Sequence, residues 1–394
     1  MAGTTKIVLK SGKDQSVYRR HPWIFSGAIK KIYGDPGEGD LVQVFNNKDE
    51  QLAVGHYQPG SIAVRILEFG STEIDDSFWL KRISDALALR RQLGLENSAM
   101  TNVYRLVNAE GDGLPGLIID YYNGHIVLQV HSSGMYRNIK SIVTALEKLY
   151  DQRIVTIFDK SESTMPFKSP LVVKNSFLSG NTTTTSILEN GLKFRVDWID
   201  GQKTGFYIDQ RENRQLLKQY SEDKEVLNLF CYSGGFSVYA LSGHARRVHS
   251  VDSSAKAIEL VNENIAMNFP DAEHESYVDD SFKFMARIKN AYDIIILDPP
   301  AFAKHQNVLH NALQGYKRLN QIALEQIRSG GILFTFSCSQ VVSKENFRKS
   351  VFAAAANAKR NVRILHQLTQ PGDHPVSIFH PEGEYLKGLV LHVE

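Results

Sequence analysis

Along the second half of the chain, short apolar runs alternate with longer stretches whose apolar side chains recur at helical spacing. The runs are Val226–Phe230, Val248–Asp252, Ser276–Val278, Ile294–Asp298 and Ile332–Phe336, and helices are expected between them, for example at Ala255–Met267 and Leu309–Arg328. Runs such as Ile294 to Leu297, apolar at every position and rich in β-branched residues, suit strands covered on both faces. Strand and helix in alternation predict a parallel, doubly wound α/β sheet. Two late segments, Val362–Gln367 and Tyr385–Val393, have no helix between them. That spacing excludes a right-handed crossover and predicts an antiparallel edge.

The first half is patterned differently. Short apolar segments (Lys6–Leu9, Leu41–Phe45, Ala53–His56, Ile62–Leu67) are separated by Gly/Pro/Asp clusters, which predicts a small β-barrel over residues 1–72. A helix is expected within 75–93, from Phe78, Leu80, Ile83, Leu87 and Leu89. A strand pair follows at Leu117–Asp120 and Ile126–Val130 around Asn123-Gly124, then a helix near Tyr136–Tyr150 and a strand at Ile154–Phe158. These make a central α+β domain, 73–186, ending in the polar run Gly180–Ser186. The third domain is 187–394, opening on a connecting unit with a strand at Leu192–Trp198 and a polar helix near Glu212.

Composition narrows the class. With 42% hydrophobic and 22% charged residues the chain reads as a soluble globular protein, and no apolar run is long enough to span a bilayer. Met1–Ile7 carries no apolar leader core, so secretion is not expected. Two cysteines, Cys231 and Cys338, build no disulfide framework, and a reduced cytoplasmic setting is expected. The net charge of +2 does not itself point to nucleic acid. Its distribution changes the picture: residues 1–34 carry seven basic side chains against one acidic, a local +6, and the remainder is net negative. Such a face can engage phosphates. His21-Pro-Trp-Ile-Phe25 lies inside it, so Arg19, Arg20 and Trp23 are candidates for phosphate contact and base stacking, although Trp23 and Phe25 also suit the interior of a small barrel.

Candidate chemistry gathers at strand ends, where open α/β sheets bind ligands. Leu227–Ser237 reads as strand, glycine turn and helix start, with Gly234 and Gly235 allowing close approach of a ligand. Asp252, 17 residues beyond Gly235, is placed for two ribose hydroxyls. The turn lacks the spacing of a dinucleotide cradle, so a nucleoside without phosphate, such as S-adenosylmethionine, fits better. Asp280, preferred over Asp279, is placed for an adenine amino group. The expected cofactor set is therefore Phe230, Tyr232, Ser233, Gly234, Gly235, Asp252, Ser253, Asp280, Ser281 and Asp298, covered by Thr204, Gly205 and Phe206. Cys231 reads as packing, and Glu110 and Asp112 as loop-capping carboxylates. No metal site is expected.

The strand Ile294–Leu297 stops at Asp298-Pro299-Pro300, because proline cannot donate to a ladder. The strand ending at Phe336 runs into Ser337-Cys338-Ser339. A carboxylate and a thiol are thus presented at comparable strand ends.

With these residues in view, the chain resembles the RlmI-type family of bacterial large-subunit rRNA cytosine-5 methyltransferases. The N-terminal barrel is similar to a PUA domain around His21–Phe25, and the middle resembles that family's central domain around Asn108–Gly116. The C-terminal half resembles its class I methyltransferase domain at Gln202–Asp209, Asn228–Phe236, Asp298–Phe302, Phe336–Ser339 and Asp373–Val376. The family carries Lys after Asp-Pro-Pro where this chain has Ala301. The resemblance implies S-adenosylmethionine, large-subunit rRNA and a homodimer.

Under that resemblance Cys338 is the thiolate that adds to cytosine C6, and Asp298 bonds the N3/amino edge. Lys304 is the candidate for lowering the Cys338 pKa, Phe302 for stacking on the extruded base, and Pro299 and Pro300 for contacting it. Asp298 through water, or His374, would remove the C5 proton. Two alternatives stand beside this reading. Asp-Pro-Pro also occurs in methyltransferases of exocyclic amines that use no thiol. A non-catalytic RNA-binding assembly factor would need neither Asp298 nor Cys338.

Overall fold

The computed structural model describes residues 5–166 and 169–394; the first four residues, read above for a leader, lie outside them. The chain forms two compact units. One comprises Met1–Ile187, Val196–Ile208 and Gly372–Gly383, and the other Leu188–Arg195, Asp209–Pro371 and Glu384–Glu394.

In the first unit, strands β1 (Thr5–Leu9), β2 (Trp23–Phe25), β3 (Ile29–Tyr33), β4 (Leu41–Phe45), β5 (Gln51–Tyr57) and β6 (Ile62–Phe69) make one sheet in the order β2-β6-β5-β4-β1-β3. Only β1 and β4 run parallel. Ile7, Leu9, Ile24, Val42, Val44 and Val64 fill its core. The interruptions that punctuated the sequence are the turns between these strands.

Next comes the helix Asp76–Gln92, started by the Asp75 carboxylate, which accepts from the Phe78 amide. Strands β7 (Val103–Asn108), β8 (Leu117–Tyr122), β9 (His125–Val130), β10 (Thr156–Asp159) and β11 (Ser176–Ser179) form a second sheet in the order β11-β10-β9-β8-β7. The hairpin expected at Asn123-Gly124 joins β8 to β9, with Tyr122 opposite His125. Two helices, Ser133–Arg137 and Ile139–Tyr150, replace the single one expected, because Asn138 breaks the helical run between them.

Strands β12 (Thr184–Glu189) and β13 (Leu192–Asp197) form a separate hairpin. The polar run before it is the start of β12, whose only inward side chains are Ile187 and Glu189.

The two compact units divide the chain differently from the expected domains 1–72, 73–186 and 187–394. Residues 196–208 and 372–383 fold with the first unit. Their buried groups explain why. Trp198 packs on His125 with ring centroids 5.0 Å apart, and the Tyr122 hydroxyl lies 2.9 Å from that of Thr204. Arg90 donates to the Asp373 carbonyl at 2.7 Å. Such contacts leave no periodic trace in a sequence.

The second unit holds β14 (Glu225–Leu229), β15 (Arg247–Asp252), β16 (His274–Val278), β17 (Ile294–Leu297), β18 (Gly331–Ser337), β19 (Val362–Leu368) and β20 (Lys387–Val393). Their order is β16-β15-β14-β17-β18-β20-β19. The first five strands are parallel, and β20 pairs antiparallel with both β18 and β19, as the missing helix required. Leu227, Leu229, Ile295, Leu297 and Leu333 share a core with Ala312, Tyr316, Leu319 and Ala323 of the helix Leu309–Gln326. That helical spacing turns one stripe inward, and burying a side chain the size of Leu319 contributes roughly 1.5–3 kcal/mol. Among the described residues no helix is long and apolar enough to cross a membrane.

Candidate active site at the strand ends of the second unit

The turn after β14 is strained by design. Phe230, Tyr232 and Gly234 all have positive φ, at 57°, 45° and 74°. A glycine is needed at 234, because a Cβ there would press on Val261 at 3.1 Å in a conformation side chains avoid. The Asn264 side chain pins the turn from below, donating to the Ser233 carbonyl at 2.8 Å. Asp252, at the end of neighbouring β15, accepts from the Tyr232 amide at 3.0 Å and from the Ser254 amide at 3.0 Å. Its carboxylate is thereby fixed in direction. Ser253 is exposed beside it.

Asp280 follows β16 and caps the helix Ser281–Arg287, with one oxygen accepting from the Lys283 amide at 2.9 Å. The residue is exposed, whereas Asp279 is tied to Arg287. Asp280 is therefore the more available of the two. Ser281 is buried under the cap.

Asp298 ends β17. It is half-buried, and desolvation together with the nearby Asp209 carboxylate raises its pKa to about 7. A hydrogen bond from the Gln210 side chain and the charge of Arg214 pull the other way and do not win. Arg214 is itself neutralised by Glu189 through bonds of 2.7 to 2.9 Å. Asp209 accepts from the Tyr385 hydroxyl at 2.7 Å with one oxygen, while its buried Oδ1 has no hydrogen-bond partner among the described residues. Asp209, Gln210, Arg214 and Tyr385 were not singled out from sequence as partners of Asp298.

Cys338 stands just beyond β18, half-buried, its thiol 3.8 Å from the Pro299 carbonyl. Leu297 and Thr335 are register partners on parallel β17 and β18, which brings the two strand ends together. The Ser339 hydroxyl donates to the Ala303 carbonyl and ties the loop after Pro300 to the loop carrying Cys338. Cys231 is the other free cysteine, buried, with its thiol pushed well above the ordinary range by burial.

Lys304, the cation expected to act on Cys338, is exposed. The buried ammonium is that of Lys387 on β20, whose backbone is paired with Ser337. Its one visible signal was a lysine inside the apolar run Leu386–Val390. Phe302 packs on Tyr316 in a tilted arrangement, with centroids 4.6 Å apart and planes at 35°. Pro299 is buried and Pro300 exposed.

The remaining candidates fold with the first unit. Thr204 is buried, with its hydroxyl donating to Asp120 at 2.6 Å, and Phe206 is buried as well. A Cβ at Gly205 would meet Val196 at 2.8 Å. These contacts account for the three residues structurally. Arg19 is exposed, and Arg20 lies over the Phe69 ring at 5.4 Å. Trp23 donates its indole N–H to Glu110 at 2.8 Å and packs edge-on against His380. Asp112 is held by Arg90. His374 is 1% exposed, with its ring bonded to Asp373.

Comparison with known proteins places this geometry among relatives. Residues 113–376 match the S-adenosylmethionine-dependent methyltransferase family, and residues 7–69 a PUA-like domain. The chain is 40% identical over 397 residues to "Ribosomal RNA large subunit methyltransferase I" of Tolumonas auensis, covering 98% of this chain and 99% of that protein. Identity is also 40% to the protein of the same name from Pseudoalteromonas translucida, over 99% of this chain and 100% of the relative. Among solved structures, a methyltransferase complexed with SAH superposes with a TM-score of 0.85 at 24% identity, over 98% of this chain and 100% of its own. A SAM-dependent methyltransferase from Streptococcus mutans gives 0.83 at 24% identity, with the same coverage.

Proposed function

We propose that this chain, which belongs to the family of S-adenosylmethionine-dependent ribosomal RNA large subunit methyltransferases I, forms 5-methylcytosine in large-subunit rRNA through a covalent bond between Cys338 and C6 of the base. The observation that carries the reading is the pairing of a thiol and a carboxyl on adjacent strand ends, with Cys338 3.8 Å from the carbonyl of Pro299, the residue after Asp298. A methyltransferase of exocyclic amines needs the carboxyl but has no use for the thiol.

The donor set suits the cofactor. Asp252 is oriented by two backbone amides and suits a ribose diol, Asp280 is exposed for an adenine amino group, and Gly234 and Gly235 leave the turn bare of side chains. The buried, unpartnered Oδ1 of Asp209 suits a ligand N–H. Bound there, S-adenosylmethionine supplies an electrophilic methyl group on a sulfonium.

The protein's own part is to make C5 of cytosine nucleophilic. Cys338, as thiolate, adds to C6, and the electron pair released from the C5–C6 bond is taken up through the ring toward N3. Asp298, protonated up to about pH 7, donates a proton to N3 and so avoids a buried anion there. C5 of the resulting enamine then takes the methyl group. N3 returns its proton to the Asp298 carboxylate, and loss of the C5 proton to a water molecule that carries it to solvent expels the thiolate and restores the ring. Exposed Lys13, Arg19, Arg20, Lys30 and Lys31 supply phosphate contacts from the first unit. The family likeness extends the reading to a cytoplasmic homodimer, for which light scattering is the check.

The test is nucleoside mass spectrometry on rRNA incubated with labelled S-adenosylmethionine, wild type beside Cys338→Ala. Label in 5-methylcytidine with wild type alone is the expected result. Label in a methylated adenosine or guanosine that survives the substitution would move the activity to exocyclic amines and leave Cys338 a packing residue. Absence of cofactor binding in calorimetry would favour an RNA-binding factor without chemistry.

A further inference from the structure

Lys387 begins β20 with its backbone paired to Ser337, and its ammonium reaches forward to the Ser339 carbonyl at 2.5 Å. Its backbone pairing and its ammonium bond thus fall on Ser337 and Ser339, the residues on either side of Cys338. A second bond, of 2.7 Å, goes to the Tyr385 carbonyl. The residue is 4% exposed. Burying an ammonium costs several kcal/mol unless an opposite charge compensates, yet here its bonds go to two carbonyl dipoles. Glu384, the acid that bears on it, is paired with Lys344 at 2.7 Å. The remaining group that can carry a negative charge against Lys387 is the thiol of Cys338.

We infer that Lys387 is the positioning residue that holds Cys338 as a thiolate, serving as its counter-cation from the neighbouring strand. The inference rests on the reading of Cys338 as nucleophile. The charged neighbourhood agrees with it. Burial lowers the Lys387 pKa to about 8 and the Cys338 charge counters this, so the ammonium persists at neutral pH. On the helix side, Tyr316 is pushed up to about 12 and stays neutral. Asp298, at about 7, is largely uncharged just below neutrality and opposes the thiolate only as pH rises. Lys344 and Glu384, paired at 2.7 Å on the flank of Lys387, act on it in opposite directions. An opposite charge within about 4–6 Å lowers a thiol pKa by about 1–3 units from its usual ~8.5.

Because Cys231 is buried, the pH dependence of iodoacetamide labelling, followed on the Cys338 peptide by mass spectrometry, reads this thiol alone. The wild-type midpoint is expected at least one unit below ~8.5. Lys387→Met should return it toward that value and slow labelling at pH 7 by about tenfold or more, while Lys387→Arg keeps the low midpoint. Equal midpoints in wild type and Lys387→Met, with cofactor binding intact in both, would overturn the inference. Should Lys387→Met fail to fold, thiolate absorbance at 240 nm in wild type against Cys338→Ala decides alone; a midpoint at or above ~8.5 rejects the counter-cation. The nucleophile reading fails separately, if Cys338→Ala still forms 5-methylcytidine.

Discussion

Arg90 grips Asp112 with two parallel N–H···O bonds of 2.6 and 2.8 Å, and a further N–H of the same guanidinium reaches the Asp373 carbonyl at 2.7 Å. One fully buried cation thus fastens the loop after β7 and the late segment 372–383 to the helix Asp76–Gln92. Arg90→Met leaves Asp112 charged, buried and without its partner, a loss of about 3–5 kcal/mol. Thermal unfolding is the measurement, and a shift within error of wild type would refute the fastening role.

Gly111 makes the same fastening from the other side. A Cβ there would sit 1.9 Å from the Pro375 carbonyl oxygen, a backbone atom that cannot swing away. Gly111→Ala should destabilise the first unit by about 1–3 kcal/mol and speed hydrogen exchange in 372–383 above all. Uniform exchange with no change in that segment would count against the close approach.

Asp298 should make stability fall as pH rises. Its carboxyl keeps a proton to about pH 7 in the folded chain, whereas unfolded it ionises near 4. Between those values the folded state binds the extra proton, so stability declines across that window and the full penalty stands above it. Asp298→Asn removes the titration. Relative to wild type it should gain on the order of a few kcal/mol at pH 8 and little at pH 4. Melting curves at both pH values decide, and a pH-independent difference would show that burial does not control this group.

The exposed cations of the first sheet should set the salt dependence of RNA binding. Arg19→Ala and Lys30→Ala each remove one charge at the surface. Each should lower the slope of log affinity against log salt by about 1 if it touches a phosphate. Substitution is preferable to deleting 1–72, which would also strip Trp23 from Glu110. Unchanged slopes for both variants would place the RNA surface elsewhere.

What the sequence made legible was the part governed by local pattern. The apolar run at Ile294–Leu297, the prolines that end it and the missing helix between the last two strands led directly to a parallel sheet with an antiparallel edge, and the strand ends with Asp252, Asp298 and Cys338 followed. What it concealed was set by distant packing. Trp198 and Phe206 read like any buried aromatics, and nothing in their spacing says which core receives them. Lys387 was hidden for a related reason. A lysine in an apolar strand ordinarily reads as an edge residue reaching for water, and only the folded register pairs it with Ser337, one residue before Cys338.

The interleaving of the two units has a consequence for how the protein is made. The chain passes from one unit to the other at 187/188, 195/196, 208/209, 371/372 and 383/384. During synthesis the N-terminal unit cannot close until 372–383 has emerged, by which time all but the last strand of the other unit is already outside the ribosome. The two must therefore mature together, and a nascent chain halted before Gly372 should stay sensitive to protease even though its first sheet is complete. No single cut would free either unit as a separate fragment.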